Sequence, residues 1–260
     1  MDIQLFSLTQ IQIFFVILSR IAGFIGAAPV ISSTQNPMMV KVSLTLVITI
    51  CLFPLLQNEV LPQSFAPVPL AMLVISEVLV GALLGLIAQF IFVAVEFGAT
   101  IVGFQMGFSA ANVYDPTNKT QIALVSQFQN IFAMLIFLCL NGHYIFFRAL
   151  LRSFTLLPPG KFDVSGDAVP YLMKLTSHMF TLGVQFSAPV LAVLLLTGLI
   201  LGILARIFPQ LNVFMLSFPI NVGAALISIA FTLDMSGLLI ARELEELGSR
   251  ILNMLDLLNP

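Results

Sequence analysis

Apolar residues along this chain come in long runs, separated by prolines and short polar turns, rather than alternating with polar residues as in a half-buried strand or a solvated helix. Residues 120–147, 175–205 and 207–233 contain no Asp, Glu, Lys or Arg. Each is long enough to cross a bilayer, for which about 20 apolar residues suffice. Breakers and runs together predict six or more hydrophobic segments, six of them near 8–31, 38–56, 70–96, 121–147, 179–208 and 211–233. The first holds Arg20 and ends near Pro29, and the second follows the polar turn Ser32-Ser33-Thr34-Gln35-Asn36-Pro37. The third, interrupted by Glu77, runs on beyond a hydrocarbon core of roughly 30 Å at 1.5 Å per residue, so it has to tilt, kink or leave the membrane.

Residues 97–114 differ in kind. Gly98, Gly103 and Gly107 precede the polar end Ser109-Ala110-Ala111-Asn112, a density of glycine that predicts close backbone approach or a non-helical path. Asp115-Pro116 then breaks the chain. A more polar link, 148–174, carries Pro158-Pro159-Gly160 and Pro170 and reads as the longest loop, whereas Pro209-Gln210 reads as a tight hairpin. In the tail, Ile240, Leu244, Leu247, Ile251, Leu255 and Leu258 recur at helical steps with charged residues between them. This is an amphipathic helix lying on a membrane or against a partner, and the acid excess on its polar face disfavours anionic lipid. Two phrases echo each other, Gly81 to Gln89 and Gly198 to Arg206, both with small residues four apart that let helices approach closely. The predicted fold is all-α, a polytopic membrane-protein-like subunit of long kinked helices and helical hairpins. If 97–114 adds a crossing, Lys41, the basic residues of the link (Arg148, Arg152, Lys161, Lys174) and the tail share one side, as the positive-inside rule prefers.

Composition narrows the function. Of 260 residues only 22 are charged, 8%, where a soluble domain would carry about a quarter. Mean hydropathy is +1.09. A net charge of −2 with ten scattered basic residues gives nucleic acid nothing to bind. Cys51 and Cys139 lie in apolar runs, and His143 and His178 lie far apart, so no metal or other cofactor is expected. No basic residue precedes Arg20, so the first apolar run is expected to be retained rather than cleaved as a signal peptide.

Ionisable residues inside apolar segments cost about 2.5–3.5 kcal/mol each on insertion scales unless sheltered. The candidates are Arg20, Glu77, Glu96 and Asp234, with Arg206 near the hairpin. They serve a transport path, or else inter-segment salt bridges, subunit contacts and snorkelling ends. Segment four begins with Gln121, Ser126, Gln127, Gln129 and Asn130, amides and hydroxyls that either glue helices together or line a pore. No nucleophile and base stand at productive spacing, which argues against an enzyme. A secondary transporter would need a paired inverted repeat, for which the glycine echo is too short.

Two stretches are unusual for a membrane helix: Gly103-Phe104-Gln105-Met106-Gly107-Phe108-Ser109-Ala110-Ala111-Asn112-Val113-Tyr114-Asp115-Pro116, and Gly202 through Phe214 with Arg206, Pro209, Gln210 and Asn212. With Asn141-Gly142-His143, then Ser153-Phe154 and Leu157-Pro158, they make the chain resemble the FliR family, the flagellar member of the type III secretion export-gate proteins, over essentially its whole length. The resemblance implies a FliP-like part (1–178), a FliQ-like hairpin (179–235) and an amphipathic C-terminal helix (236–260). It implies assembly with FliP-like and FliQ-like subunits, and with FlhB-like and FlhA-like components, in the bacterial inner membrane within the flagellar basal body, to pass unfolded flagellar proteins. Apolar segments are then covered partly by sibling subunits. It also implies that a loop near 106–116 plugs the closed pore, with Gly103, Phe104, Met106, Gly107, Phe108, Asn112, Asp115 and Pro116 as its residues, and that Arg206, Pro209, Gln210 and Asn212 make subunit contacts. A homologous subunit of a virulence injectisome is the alternative.

Overall fold

A computed structural model of the protein describes residues 8–29, 37–57, 67–107, 123–163, 166–210 and 212–259. Among them are seven α-helices: α1 (Leu8–Ala27), α2 (Met38–Leu56), α3 (Pro67–Gln105), α4 (Ala123–Cys139), α5 (Gly142–Leu156), α6 (Ala168–Ile207) and α7 (Val213–Leu258). Five are long and apolar enough to cross a bilayer, and α4 with α5 would make a sixth broken span. Hydroxyls in these helices turn back onto their own backbone, as Thr49 does to the Thr45 carbonyl at 2.7 Å and Ser19 to Val16 at 2.7 Å. An apolar helix carries such residues without exposing a donor to hydrocarbon.

Several boundaries differ from those expected. Helix α3 continues through Gly98 and Gly103, so the glycine-rich stretch is helical as far as Gln105. The expected fourth segment is cut at Leu140 and Asn141, where Asn141 adopts φ 54°, ψ 36° and the helix bends by 69°. Asparagine is among the few residues that enter the left-handed region readily. Much of the expected polar link is also helical. It contains the second half of α5, a helix whose buried Phe146, Leu150 and Phe154 recur at spacings of four, and the start of α6, with Pro170 in its first turn, where the missing N–H leaves no gap. Finally, segment six and the tail are one 46-residue helix, α7.

The chain forms two compact units of discontinuous stretches. The first comprises Met1–Phe90, Asn141–Leu175 and Glu245–Pro260. Within it α1 packs on α2, Phe24 meets Phe146 edge to face at 5.8 Å, and Phe14 meets Phe53 at 5.9 Å. The end of α7 belongs here: Leu247, Ile251, Leu255 and Leu258 are buried, the Leu258 carbonyl accepts from the Asp163 N–H at 3.2 Å, and Tyr171 donates to the Arg250 carbonyl. The apolar stripe of the tail is thus spent on the chain's own core.

The second unit comprises Ile91–Leu140 and Thr176–Leu244. Its core joins Ala99, Val102 and Met106 of α3 and its end, Val125 of α4, Val190 and Leu194 of α6, and Ala225 and Ile229 of α7. Helices α3 and α6 touch backbone to backbone at Gly98 and Gly183, where a Cβ on Gly98 would strike the Gly183 carbonyl oxygen. Towards the hairpin the core thins, leaving Leu199 and Ile203 exposed, and the outward faces of the two helices carry Leu195, Leu226 and Phe231, Phe231 exposed by 85%.

Candidate functional site

Arg20 and Glu77 are both fully buried. Arg20 Nε donates to Glu77 Oε2 at 2.5 Å, and its two Nη groups reach the end of α5, donating to the Ser153 carbonyl at 2.7 Å, Ser153 Oγ at 3.2 Å and the Leu157 carbonyl at 2.9 Å. The guanidinium also stacks over Phe154, 4.3 Å from the ring centre. Glu77 Oε1 in turn accepts from the Gly160 N–H at 3.3 Å. One ion pair therefore joins α1 and α3 and fastens the turn that follows α5. The Leu157 carbonyl is one that a helix C-terminus leaves without an intrahelical partner, and the Ser153 carbonyl shares the guanidinium with the Leu157 N–H at 3.0 Å; a cation at this end is favoured by the helix dipole. No lipid or water reaches it, so this pair is an inter-segment tie within the first unit rather than part of an open path.

The root of the expected channel loop lies in the second unit. Met106 is 1% exposed in the apolar core, and its N–H closes the last turn of α3 on the Val102 carbonyl at 2.9 Å. Gly107 follows with φ +93°, a conformation that disfavours side chains, and a Cβ there would come within 3.6 Å of the Phe218 ring. Gly103 is buried and Phe104 is half exposed. Phe108, Asn112, Asp115 and Pro116 lie outside the described residues. Where description resumes, Val125 of α4 sits in the same core cluster as Met106. Both ends of the 108–122 segment thus leave one apolar anchor.

At the hairpin, Arg206 lies in the last turn of α6, Pro209 and Gln210 form the turn, and Asn212 Oδ1 accepts from the Met215 N–H at 3.3 Å. The charge, proline and amide that stand out in the sequence are, locally, a C-terminal cation, a turn residue and an N-cap. All four side chains are exposed.

Glu96 and Asp234 are exposed, and so is Gln127. Asn130 Oδ1 is buried and accepts no hydrogen bond among the described residues. Gln129, Thr232 and Ser236 give a polar lining to an otherwise apolar crevice of about 270 Å3, its open mouth included, inside the second unit. A contact that sequence reasoning missed is His178 on α6, whose Nε2 lies 3.1 and 3.0 Å from the two carboxylate oxygens of Glu243 on α7. A separation of 65 residues hid it. Among the described residues no three His, Cys, Asp or Glu side chains converge where a metal could sit.

A family model described as bacterial export proteins, family 1, matches residues 11–247. The chain is 33% identical over 249 residues to the flagellar biosynthetic protein FliR of Escherichia coli (strain K12), an alignment covering 95% of this chain and 93% of that protein. It is 32% identical over 217 residues to the flagellar biosynthetic protein FliR of Bacillus subtilis (strain 168), covering 82% and 83%. With the FliR of Pectobacterium carotovorum the identity is 32%, over 83% of this chain and 82% of that one.

Proposed function

The chain belongs to the FliR family of flagellar export proteins, and from that membership and its uncovered apolar surface we propose that it is a core subunit of the type III protein export gate. Residues 1–178 are its FliP-like part, 179–235 its FliQ-like hairpin and 236–260 its amphipathic end. FliP-like and FliQ-like proteins are its immediate neighbours, FlhB-like and FlhA-like components lie near it, and the assembly stands in the bacterial inner membrane within the flagellar basal body. It performs no catalysis and passes unfolded flagellar subunits. The relatives compared above carry flagellar names, which favours this reading over an injectisome.

The observation that carries the proposal is the bare distal half of α6 and proximal half of α7. At 40 and 46 residues these helices run about 60 and 69 Å, twice the hydrocarbon thickness, yet Leu199, Ile203, Phe231 and Leu238 stay exposed along them. The bare stretches themselves, 193–207 and 215–238, are about 21 and 35 Å long at 1.5 Å per residue and fit a bilayer, so it is family membership that favours homologous helices of neighbouring subunits as their cover, with the exposed Arg206, Pro209, Gln210 and Asn212 at the tip of the contact. A tagged chain expressed with FliP-like and FliQ-like proteins is expected to bring both down in one detergent-stable complex. Recovery of the chain alone, from cells that export normally, would refute the assignment.

The segment 106–116 is the gasket of this gate. Met106 and Gly107 root it at the end of α3, where the half-exposed Phe104 sits in the last turn, and Phe104 at that root with Phe108 in the segment supply bulky apolar closures that yield to a passing polypeptide while resisting ions. Deleting residues 107–115 is expected to leave assembly intact and raise the permeability of cells to ions or small solutes, read by a fluorescent ion indicator or by growth on a toxic small molecule. Unchanged permeability with normal assembly rules out the gasket.

A further inference from the structure

Helix α5 divides cleanly into two faces. Phe146, Ala149, Leu150, Ser153 and Phe154 are buried, whereas Tyr144, Phe147, Arg148, Arg152 and Thr155 are exposed, Tyr144 by 67% and Phe147 by 37%. The exposed set recurs at spacings of three and four, so it occupies one side of the helix. Its charge is unbalanced. No Asp or Glu occurs anywhere in residues 116–162, while Lys119, Arg148, Arg152 and Lys161 do. Neither arginine is in an ion pair among the described residues. Glu77, the acid nearest in function to α5, is buried and spent on Arg20 and Gly160. The end of α7 packs beside α5, with Gly248 near Ile145, but there Glu246 is taken by Arg250 at 2.7 Å and only Glu245 and Asp256 are exposed.

We propose that the exposed face of α5 is a contact surface for the phosphate headgroups of anionic phospholipids, with Arg148 and Arg152 as the charged contacts and Tyr144 and Phe147 seated beside them. Arginine presents planar paired donors to a phosphate, and cationic residues near an anionic leaflet gain about fivefold in partitioning each. Aromatic side chains interleaved with arginine are the composition of the membrane interface, where ring and headgroup lie at the same depth. An acidic protein surface would take the same arginines and rings, and loss of such a partner is one outcome of the test below; the candidate spans of this chain place membrane lipid within its reach and favour the headgroup. The opposite face of α5 is closed by the protein's own core, so the helix is held fast and presents only this side.

The full chain, purified in a neutral detergent and mixed with micelles of either phosphatidylglycerol or phosphatidylcholine, tests this by native mass spectrometry of the lipids retained. The parent protein is expected to retain phosphatidylglycerol in clear preference, and Arg148→Gln/Arg152→Gln to lose about tenfold or more of it, with Arg148→Lys/Arg152→Lys keeping most. Equal retention by the Gln variant, at unchanged helical content, overturns the proposal. So does a preference abolished by inorganic phosphate at the same concentration, which would mark a free-anion site. Loss of an acidic export-apparatus subunit from the Gln variant with lipid retention unchanged overturns it in favour of a protein contact. If the Gln variant fails to fold, salt decides on the parent protein: the preference must fall between about 0.05 and 0.5 M NaCl as the Debye length shrinks, and a salt-independent preference refutes the charge contact.

Discussion

Arg20→Ala is expected to cost about 3–5 kcal/mol, a large share of the about 5–15 kcal/mol by which whole domains are stable. The reason is less the lost attraction than what stays behind. Glu77 would remain fully buried with the Gly160 N–H as its one remaining donor from the node, and the Leu157 carbonyl and Ser153 Oγ would lose the group they face. A buried carboxylate stripped of its cation is far more costly than a pair that was never there. Arg20→Lys keeps the charge but cannot reach Glu77, Ser153 and Leu157 at once, because an ammonium lacks the planar fork, so it should fall between parent and alanine variant. The informative variant is the double replacement Arg20→Met/Glu77→Leu. It leaves no orphaned charge and is expected to recover most of the loss; with Arg20→Met and Glu77→Leu alone as the other corners, the cycle is expected to give a coupling energy of a few kcal/mol. Thermal unfolding of the detergent-solubilised chain reads every variant. If Arg20→Ala melts with the parent, the node is not what holds the turn after α5.

That node also shows where the sequence was readable and where it was not. The apolar runs announced six or more hydrophobic segments, and Arg20 and Glu77 stood out because a charge inside such a run demands a partner. Which partner did not follow. Arg20 finds Glu77 at a separation of 57 residues and Ser153 at 133, and no local pattern encodes a distance that only packing creates. The phrases Ser153-Phe154 and Leu157-Pro158, noticed for their family resemblance, prove to be the cradle of that guanidinium. The same holds at the hairpin, where Arg206, Pro209 and Asn212 were visible as a motif and their local work as cation, turn and cap emerged from geometry. Periodicity misled at the tail. The stripe from Ile240 to Leu258 correctly announced an amphipathic helix, but an apolar stripe says that something covers it and not what, and here the cover of its last turns is the chain's own first unit. Charged residues such as Arg148 and Arg152 made 148–174 look like a loop because their exposed face masks the apolar spacing of Phe146, Leu150 and Phe154 behind it.

Gly81→Ala and Gly198→Ala, the same substitution in two phrases that look alike, are expected to behave oppositely. A Cβ on Gly81 would land on the Arg20 carbonyl oxygen and within 2.8 Å of the Phe24 nitrogen, and one on Gly85 would lie 2.7 Å from the Ala27 Cβ and 2.8 Å from the Phe24 carbonyl oxygen. These are backbone atoms and a methyl on a helix, with no flexible end to swing aside. Gly23 faces the other way, against the Val78 carbonyl, so α1 and α3 cross with glycine on both sides. Forcing them apart moves Arg20, which sits on the contact itself, away from Glu77. Gly81→Ala should therefore cost about 2–3 kcal/mol, at the upper end of overpacking, and its effect should not add to that of Arg20→Ala, because both break one arrangement. Gly198 and Gly202 have nothing within 4 Å of where a Cβ would stand. There alanine meets no clash and gains helix propensity, up to about 1 kcal/mol. In denaturant or thermal unfolding of the isolated chain, Gly198→Ala should match or exceed the parent while Gly81→Ala fails; equal damage from both would mean the echo is a true repeat of one packing mode. The open pair has a second consequence. Small residues four apart on a bare apolar helix are spare room for another backbone, so a bulkier Gly198→Leu should leave the isolated chain stable and yet weaken its recovery with FliP-like and FliQ-like proteins, separating a site used for assembly from one used for folding.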